Sequence, residues 1–132
     1  MKKRITIASA KSKGRNLQKW VCSRISELTG IEWGKDCPIE SRPMGQTGVD
    51  VRMESTVKKL FPFSVECKWQ ESWSVPAWIE QSKTNQEPDA TWILFMRRKG
   101  LKPFSVACLD ADVFFQMLSL IPEEHRKHIK LL

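Results

Sequence analysis

The chain has 132 residues, 41% of them hydrophobic, and its 22 Lys and Arg outnumber its 15 Asp and Glu. This length suits one domain with one core, and the longest apolar run, residues 92–96, is too short to cross a membrane. Four widely spaced cysteines without a C-x-x-C pair, and no apolar stretch of signal-peptide length near the start, favour a cytoplasmic protein over a secreted or zinc-binding one.

The positive charge is concentrated near the start of the chain. Eight Lys and Arg residues precede the first acidic residue, Glu27. This asymmetry indicates a polyanionic partner, and a solvated tail that aids solubility is the other interpretation. We expect residues 1–12 to form a basic, flexible arm and residues 13–132 to form a single domain.

The first predicted element is an amphipathic helix. Residues 13–29 carry apolar side chains at helical spacing, and Gly30 follows as a stop signal. Gln18 borders the apolar stripe, whereas Glu27 lies half a turn round and about 13 Å further along the axis. Glu27 therefore cannot replace an acid at position 18. Gln18 could ligate a metal or hold a water, or it could be a plain polar residue at the helix rim.

Two later segments are predicted to be half-buried strands. In residues 49–54 and 63–69 the apolar side chains alternate with polar ones. Pairing the two strands as a hairpin places Asp50 directly opposite Glu66, with Cβ atoms roughly 4.5–5.5 Å apart. Lys68 lies two residues beyond Glu66 on the same polar face.

This combination of charges suggests a metal site. Two adjacent carboxylates repel each other unless a cation lies between them, and Mg²⁺ is bound by one or two carboxylates together with water and substrate phosphate. The ammonium of Lys68 would stabilise charge that develops beside such a site. An ordinary exposed Asp/Glu/Lys face on an antiparallel sheet is the alternative.

The pattern of Asp50 followed by Glu66-Cys67-Lys68 at the end of an apolar strand resembles the PD-(D/E)XK nuclease superfamily. The segment SAKSKGRNLQKW is similar to the entry helix of its Holliday-junction-resolvase-like branch. The segments RPMGQTGVDV and KLFPFSVECKW resemble small phage-encoded members of that branch.

The resemblance implies roles for individual residues. Asp50 and Glu66 would bind Mg²⁺ or Mn²⁺, with the backbone carbonyl of Cys67 as a further ligand, and Lys68 would assist the attacking water. Many relatives carry a Glu on the first helix, where this chain has Gln18.

A helix is predicted after Trp69, with Ser74 as its N-cap and Pro76 in its first turn. Gln81 on this helix resembles the glutamine that family members place near the metal and is assigned to the catalytic group with Gln18. A surface glutamine is the alternative.

The remaining segments complete the predicted fold. A short strand is expected at residues 39–42, a buried central strand at 91–96 and its hairpin partner at 103–109. The basic turn between the last two would expose a positive tip. Asp110 is the expected N-cap of a helix that Pro122 ends, and residues 122–132 are expected to form a final short helical segment.

The DNA-binding candidates come from the basic helix, from the loop before Asp50 that would approach a phosphodiester, and from the basic turn. A simple turn into a strand is the other interpretation of that loop. The candidates are Lys11, Lys13, Arg15, Lys19, Arg42, Gln46, Thr47, Arg97 and Arg98.

The predicted order of elements corresponds to an α/β fold, a three-layer-like sandwich around a mixed central β-sheet. This order matches that of a restriction-endonuclease-like core. The expected function is a Mg²⁺-dependent DNA endonuclease selective for branched or junction DNA, in the cytoplasm of a host cell if phage-encoded. The alternative is a non-catalytic DNA-binding module that retains the fold. Because two matched cuts need two sites, we expect a homodimer joined through apolar residues of the last helices.

Overall fold

The computed structural model describes residues 6–43 and 47–129 of the chain, which form five helices and five strands. Their order along the chain agrees with the predicted order except for one additional short helix between the second and third strands. The elements are α1 (Ile7–Thr29), β1 (Ile39–Ser41), β2 (Val51–Met53), α2 (Ser55–Leu60), β3 (Phe63–Trp69), α3 (Val75–Asn85), β4 (Thr91–Arg97), β5 (Ser105–Cys108), α4 (Ala111–Leu120) and α5 (Glu123–Arg126).

The strands form a mixed three-stranded sheet and a separate two-stranded one. In the larger sheet β4 is central, parallel to β3 and antiparallel to β5, as predicted from its uninterrupted apolar sequence. The helix α3 makes the crossover connection that a parallel pair requires. In the smaller sheet β1 pairs antiparallel with β2.

Helices cover both faces of the larger sheet. On one face α1 buries Leu17, Val21 and Ile25 against the odd-numbered residues of β3. On the other face α3 buries Trp78 against Leu94 and its neighbours in β4. The fold is therefore mixed α/β, with a helix, a sheet and a helix in successive layers. Within the described ranges, no helix is both long and apolar enough to cross a membrane.

The first helix is longer than predicted. It begins at Ile7, where the hydroxyl of Thr6 caps it by accepting a 3.0 Å hydrogen bond from the backbone N–H of Ser9. It ends at Gly30, whose φ of 74° suits a residue without a Cβ atom. Residues 7–12 are thus helical, and the prediction of a flexible arm is wrong for them. Residues 1–5 of that arm lie outside the described residues.

The predicted hairpin between the strands that carry Asp50 and Glu66 is also wrong. Residues 55–60 form α2, which buries Val57, and β2 pairs with β1 instead. A helical turn in the connection lets β3 enter the larger sheet beside β4. Asp50 nevertheless reaches β3, because its backbone N–H donates a 2.9 Å hydrogen bond to the carbonyl of Val65.

The strand β3 is buried on both faces rather than on one. Its alternating sequence predicted that Ser64 and Glu66 would face solvent, yet each side chain is only 3% exposed. The cause is α3, which covers this second face of β3. The carboxylate of Glu66 is consequently held in an interior position.

Candidate active site

A polar cavity of about 300 Å³ lies at the edge of β3 opposite β4, between α1 and α3. It collects all five side chains that were assigned to the catalytic group from the sequence. The residues that line it are Gly14, Gln18, Thr47, Gly48, Asp50, Glu66, Cys67, Lys68, Gln81 and Asn85.

Backbone hydrogen bonds on both sides fix the position of Asp50. Its N–H donates to the carbonyl of Val65, and its side-chain Oδ2 accepts a 2.8 Å hydrogen bond from the N–H of Cys67. Asp50 thereby lies beside β3, at the edge of this strand opposite β4. Its carboxylate is held against the backbone of β3 at Cys67, the residue that follows Glu66.

Glu66 lies beside Asp50 and accepts a 2.8 Å hydrogen bond at Oε1 from the side-chain amide of Asn85. Burial raises the pKa of Glu66 from its usual 4.5 to about 7, and the nearby charge of Asp50 contributes to the increase. The hydrogen bond from Asn85 and the charge of Lys68 act in the opposite direction. Near neutral pH the metal-free pair therefore readily retains a proton.

The pKa of Asp50 is also raised, mainly by burial. The hydrogen bonds from Cys67 and Glu66 oppose this increase, as do the positive charges of Lys68 and Arg42. Both carboxylates thus lie in a place where ionisation is costly without a further positive charge. Such a site favours a cation that can neutralise them.

The backbone of Cys67 faces the cavity. Its N–H points to Asp50 rather than to β4, and in a strand the N–H and C=O of one residue point to the same side. Its carbonyl oxygen therefore lies on the Asp50 edge, which suits its predicted role as a ligand. The thiol is buried on the α1 face, and burial raises its pKa well above the usual value, so it remains protonated.

Gln18 and Gln81 approach the cavity from opposite helices. Gln18, on α1, is only 3% exposed, so it is not a plain rim residue. Gln81, on α3, is exposed at the opening of the cavity. The direct contact with Glu66 comes instead from Asn85, which the sequence analysis missed. Because residues four apart share a helix face, the assignment of Gln81 could have pointed to Asn85.

The proposed DNA-contacting residues have different environments. Lys11, Arg15 and Lys19 are exposed along α1, spaced four residues apart so that they follow one side of the helix. Lys13 is half-buried, with its Nζ 5.8 Å from the ring centre of Trp69.

Around the cavity opening, Thr47 is exposed and Arg42 is half-buried. The Nε of Arg42 donates a 2.6 Å hydrogen bond to the carbonyl of Val49. The hydrogen bond holds the loop before Asp50. Gln46 lies outside the described residues.

The prediction that Arg97 lies at an exposed positive tip is wrong. It is the last residue of β4, and its guanidinium is buried against the rings of Trp20, Trp69 and Phe104, at 4.7, 5.3 and 4.5 Å from their centres. Only the following residues of the turn, beginning with Arg98, are exposed.

The donor set of the cavity is limited to two acids. Across residues 6–43 and 47–129, no group of three His, Cys, Asp and Glu side chains is arranged to hold a metal ion. A cation in this cavity would depend on Asp50, Glu66 and neutral oxygen ligands. Comparisons with protein-family models, curated proteins and solved structures found no match to this chain.

Proposed function

We propose that this protein is a metal-dependent DNA endonuclease of the PD-(D/E)XK type, selective for branched DNA. The observation that carries the proposal is the convergence of Asp50, Glu66 and Lys68 in one polar cavity at the edge of β3. The same cavity includes the backbone of Cys67 and the buried amide of Gln18. These are the groups that the sequence resemblance assigned to one site.

The arrangement of elements supports the finer fold assignment. A restriction-endonuclease-like core needs its acidic residue and its Glu-x-Lys triplet on adjacent segments, with a helix on each face of the sheet. Here α1 and α3 cover the two faces, and the segment carrying Asp50 lies next to β3. The parallel β3–α3–β4 unit followed by an antiparallel β5 also fits this core.

The donor set fits Mg²⁺ or Mn²⁺. Both are hard cations that prefer oxygen ligands, and the cavity offers the carboxylates of Asp50 and Glu66 and the carbonyl of Cys67. Burial beside another carboxylate raises the pKa of Glu66. A bound cation would stabilise the ionised carboxylate and so lower this pKa. When bound, the ion would supply Lewis-acid polarisation of a phosphoryl oxygen and make a nearby water more acidic.

The side chains have separate tasks in this proposal. Asp50 and Glu66 hold the cation, and Asn85 orients the carboxylate of Glu66. The ammonium of Lys68 stabilises negative charge on the phosphate or on the attacking water. Gln18 positions a water or ligand through its amide, the task that a first-helix acid has in many relatives.

A DNA substrate is favoured by the charge of the protein. The net charge is +7, and exposed basic residues follow α1 on the side next to the cavity-lining Gly14 and Gln18. Phosphate contacts of this kind provide most non-specific DNA affinity. Selectivity for branched DNA rests on the resemblance to junction resolvases.

The second candidate is a DNA-binding module that does not cut. It is favoured by one observation: the cavity presents only two carboxylates, with the neutral Gln18 in place of an acid on the first helix. Such a module would bind the same DNA through the same surface. The two candidates differ only in whether the phosphodiester is broken.

Cleavage of end-labelled junction, flap, nicked and linear DNA in Mg²⁺ or Mn²⁺ tests the proposal. We expect metal-dependent cleavage of branched DNA and its loss in Asp50→Asn and Glu66→Gln, with DNA affinity retained. Asn is chosen at position 50 because its side-chain oxygen can still accept from the N–H of Cys67. Lys68→Ala should reduce the cleavage rate by about 10²–10³-fold, the usual effect of removing one transition-state charge partner.

Matched controls are available on the surface. Glu54→Gln and Asp36→Asn remove one carboxylate each at exposed positions outside the cavity, and both should cleave normally. At position 36 the φ of 61° is one that Asn tolerates. Tight binding without cleavage of any substrate would favour the binding module instead. Normal cleavage by Glu66→Gln would show that the site is elsewhere.

A further inference from the structure

The turn between β4 and β5 carries a concentrated positive charge. Residues 90–109 contain no Asp or Glu. Of the four basic residues in this segment, Arg97 is buried, whereas Arg98, Lys99 and Lys102 are exposed around the turn. A cluster of cations without a neighbouring acid attracts a polyanion.

An aromatic side chain lies at the end of the same turn. Phe104 directly precedes β5 and is 45% exposed. Its ring meets that of Trp69 edge to face, with the ring centres 5.3 Å apart and the planes at 80°. The guanidinium of Arg97 lies over the ring, 4.5 Å from its centre. Phe104 is thus held in place by its neighbours while nearly half of its surface is accessible.

Trp69 connects Phe104 to the candidate active site. It directly follows Lys68, which lines the cavity, and its ring centre is 5.8 Å from the Nζ of Lys13. Lys13 in turn precedes Gly14 of the cavity wall. Because β4 lies between β3 and β5, the backbones of these two strands are two strand spacings apart, roughly 10 Å. A DNA strand covers that distance in about three nucleotides, at roughly 3.4 Å each.

DNA with an unpaired base has the chemistry that this surface would bind. Aromatic side chains stack on unpaired bases, and nearby cations follow the phosphate backbone. In an intact duplex the neighbouring base pairs cover both faces of every base, and separating them costs energy. An unpaired base is free of most of that cost. The ring of Phe104 would therefore distinguish branched from linear DNA, whereas the cations of the turn would bind both.

We propose that Phe104 stacks on an unpaired nucleobase beside the branch point of a DNA substrate, while Arg98, Lys99 and Lys102 bind the adjoining phosphates. The contact lies about three nucleotides from the cavity, at roughly 3.4 Å per nucleotide, and selects DNA with an unpaired strand over linear duplex. It rests on the proposed function for the identity of the substrate. Because it needs no cleavage, a DNA-binding module that does not cut would use it in the same way.

The affinities for a flap DNA with an unpaired arm and for a linear duplex of the same length test this contact. Fluorescence anisotropy in the presence of a chelator measures both without metal-dependent cleavage. Wild-type protein should bind the flap more tightly. Phe104→Leu should lose about tenfold in flap affinity, as expected when one stacking side chain is removed, and should keep its duplex affinity. Phe104→Trp should keep both affinities, because an indole also stacks.

Phe114→Leu is the matched control. Phe114 has the same 45% exposure as Phe104, and its ring also packs against a second ring, that of Phe115, with the centres 5.4 Å apart. It lies on α4, beyond the opposite end of β5 from the turn, and this variant should bind both DNAs normally. Urea denaturation confirms that each variant is folded. Lys102→Gln should weaken flap and duplex binding alike and reduce the salt slope by about 1.

Removing single bases from the unpaired arm locates the stacked base. An abasic nucleotide at the contacted position should cost the wild type as much affinity as Phe104→Leu does. The same abasic nucleotide should cost Phe104→Leu almost nothing, because both changes remove one contact. At every other position the two effects should add.

Three results would overturn the proposal: equal wild-type affinity for flap and duplex, an equal loss for both DNAs in Phe104→Leu, or an abasic scan in which no position is coupled to Phe104. Failure of the endonuclease assignment would look different. The flap preference and its dependence on Phe104 would persist, but neither Mg²⁺ nor Mn²⁺ would produce a cut. Conversely, metal-dependent cleavage with unchanged branch selectivity in Phe104→Leu would support the endonuclease and remove Phe104 from substrate selection.

Discussion

The side-chain amide of Asn85 donates a 2.8 Å hydrogen bond to Oε1 of Glu66, and so joins the end of α3 to the buried carboxylate of β3. This bond favours the ionised form of Glu66 and partly offsets the effects of burial and of Asp50 on its pKa. In the proposed endonuclease Asn85 would be a positioning residue that also influences the pH range in which the Glu66 carboxylate is ionised.

Replacing Asn85 by Ala should reduce metal-dependent cleavage and shift its pH profile. Loss of the hydrogen bond raises the pKa of Glu66 further, so the acidic limb of the cleavage rate should move to higher pH. We expect about a tenfold loss of rate near pH 7, consistent with removal of a partner that orients a metal ligand. Thr84→Ala on the same helix is the control, and an unshifted profile in Asn85→Ala would contradict the role.

The stability of the metal-free protein should depend on the ionisation of Glu66. Because its pKa rises from 4.5 to about 7 on folding, the folded state holds a proton that the unfolded state has released. The free energy of unfolding should therefore fall as pH rises from 4.5 to 7, by up to about 3 kcal/mol.

Urea denaturation in the presence of a chelator measures this dependence. Glu66→Gln cannot ionise and should show a flatter pH dependence over the same range, whereas Glu54→Gln should follow the wild type. Added Mg²⁺ should restore stability above pH 7 in the wild type and in Glu54→Gln, but not in Glu66→Gln. The interpretation fails if Glu66→Gln retains the wild-type slope.

The basic side of α1 should determine how DNA binding responds to salt. Lys11 and Arg15 are exposed next to Gly14 and Gln18 of the cavity. Changing either to Ala should reduce the slope of log Kd against log salt by about 1, because one fewer counterion is released. Lys59→Ala, on α2, is the control. Equal slopes for all variants would show that DNA lies elsewhere.

Arg97 should matter for stability rather than for DNA binding. Its guanidinium contacts three aromatic rings, and its Nε donates a 2.7 Å hydrogen bond to the hydroxyl of Ser105. Arg97→Lys should lower the free energy of unfolding by about 1–2 kcal/mol, since an ammonium cannot stack as a planar group. Arg98→Lys should change it by less than about 0.5 kcal/mol. A change in DNA affinity alone would contradict this view.

The local sequence was sufficient to predict the elements that depend on short-range signals. Gly30 ends the first helix, Asp110 caps α4, and the apolar run of β4 forms the central strand. Each of these follows from dihedral preference, capping or continuous burial. The proximity of Asp50 to Glu66 was also predicted, although through a hairpin that does not form.

The remaining features depend on contacts between distant segments. The alternation of apolar and polar side chains in β3 predicted one solvent-exposed face. Glu66 is an interior residue only because α3 packs over that face. Arg97 is the last residue of β4 and precedes other basic residues, so its local sequence resembles the start of a turn. Its burial depends on Trp20 and Trp69, which come from other elements. The periodicity of a single segment does not reveal such packing between distant segments.

The hydrogen bond from the N–H of Cys67 to Oδ2 of Asp50 makes one backbone amide sensitive to the state of the site. A proton or a cation on that carboxylate withdraws electron density from the acceptor oxygen. The amide resonance of Cys67 in an NMR spectrum should therefore shift during a pH or Mg²⁺ titration. This single nucleus would report whether a proton or a cation occupies the site without any measurement of cleavage.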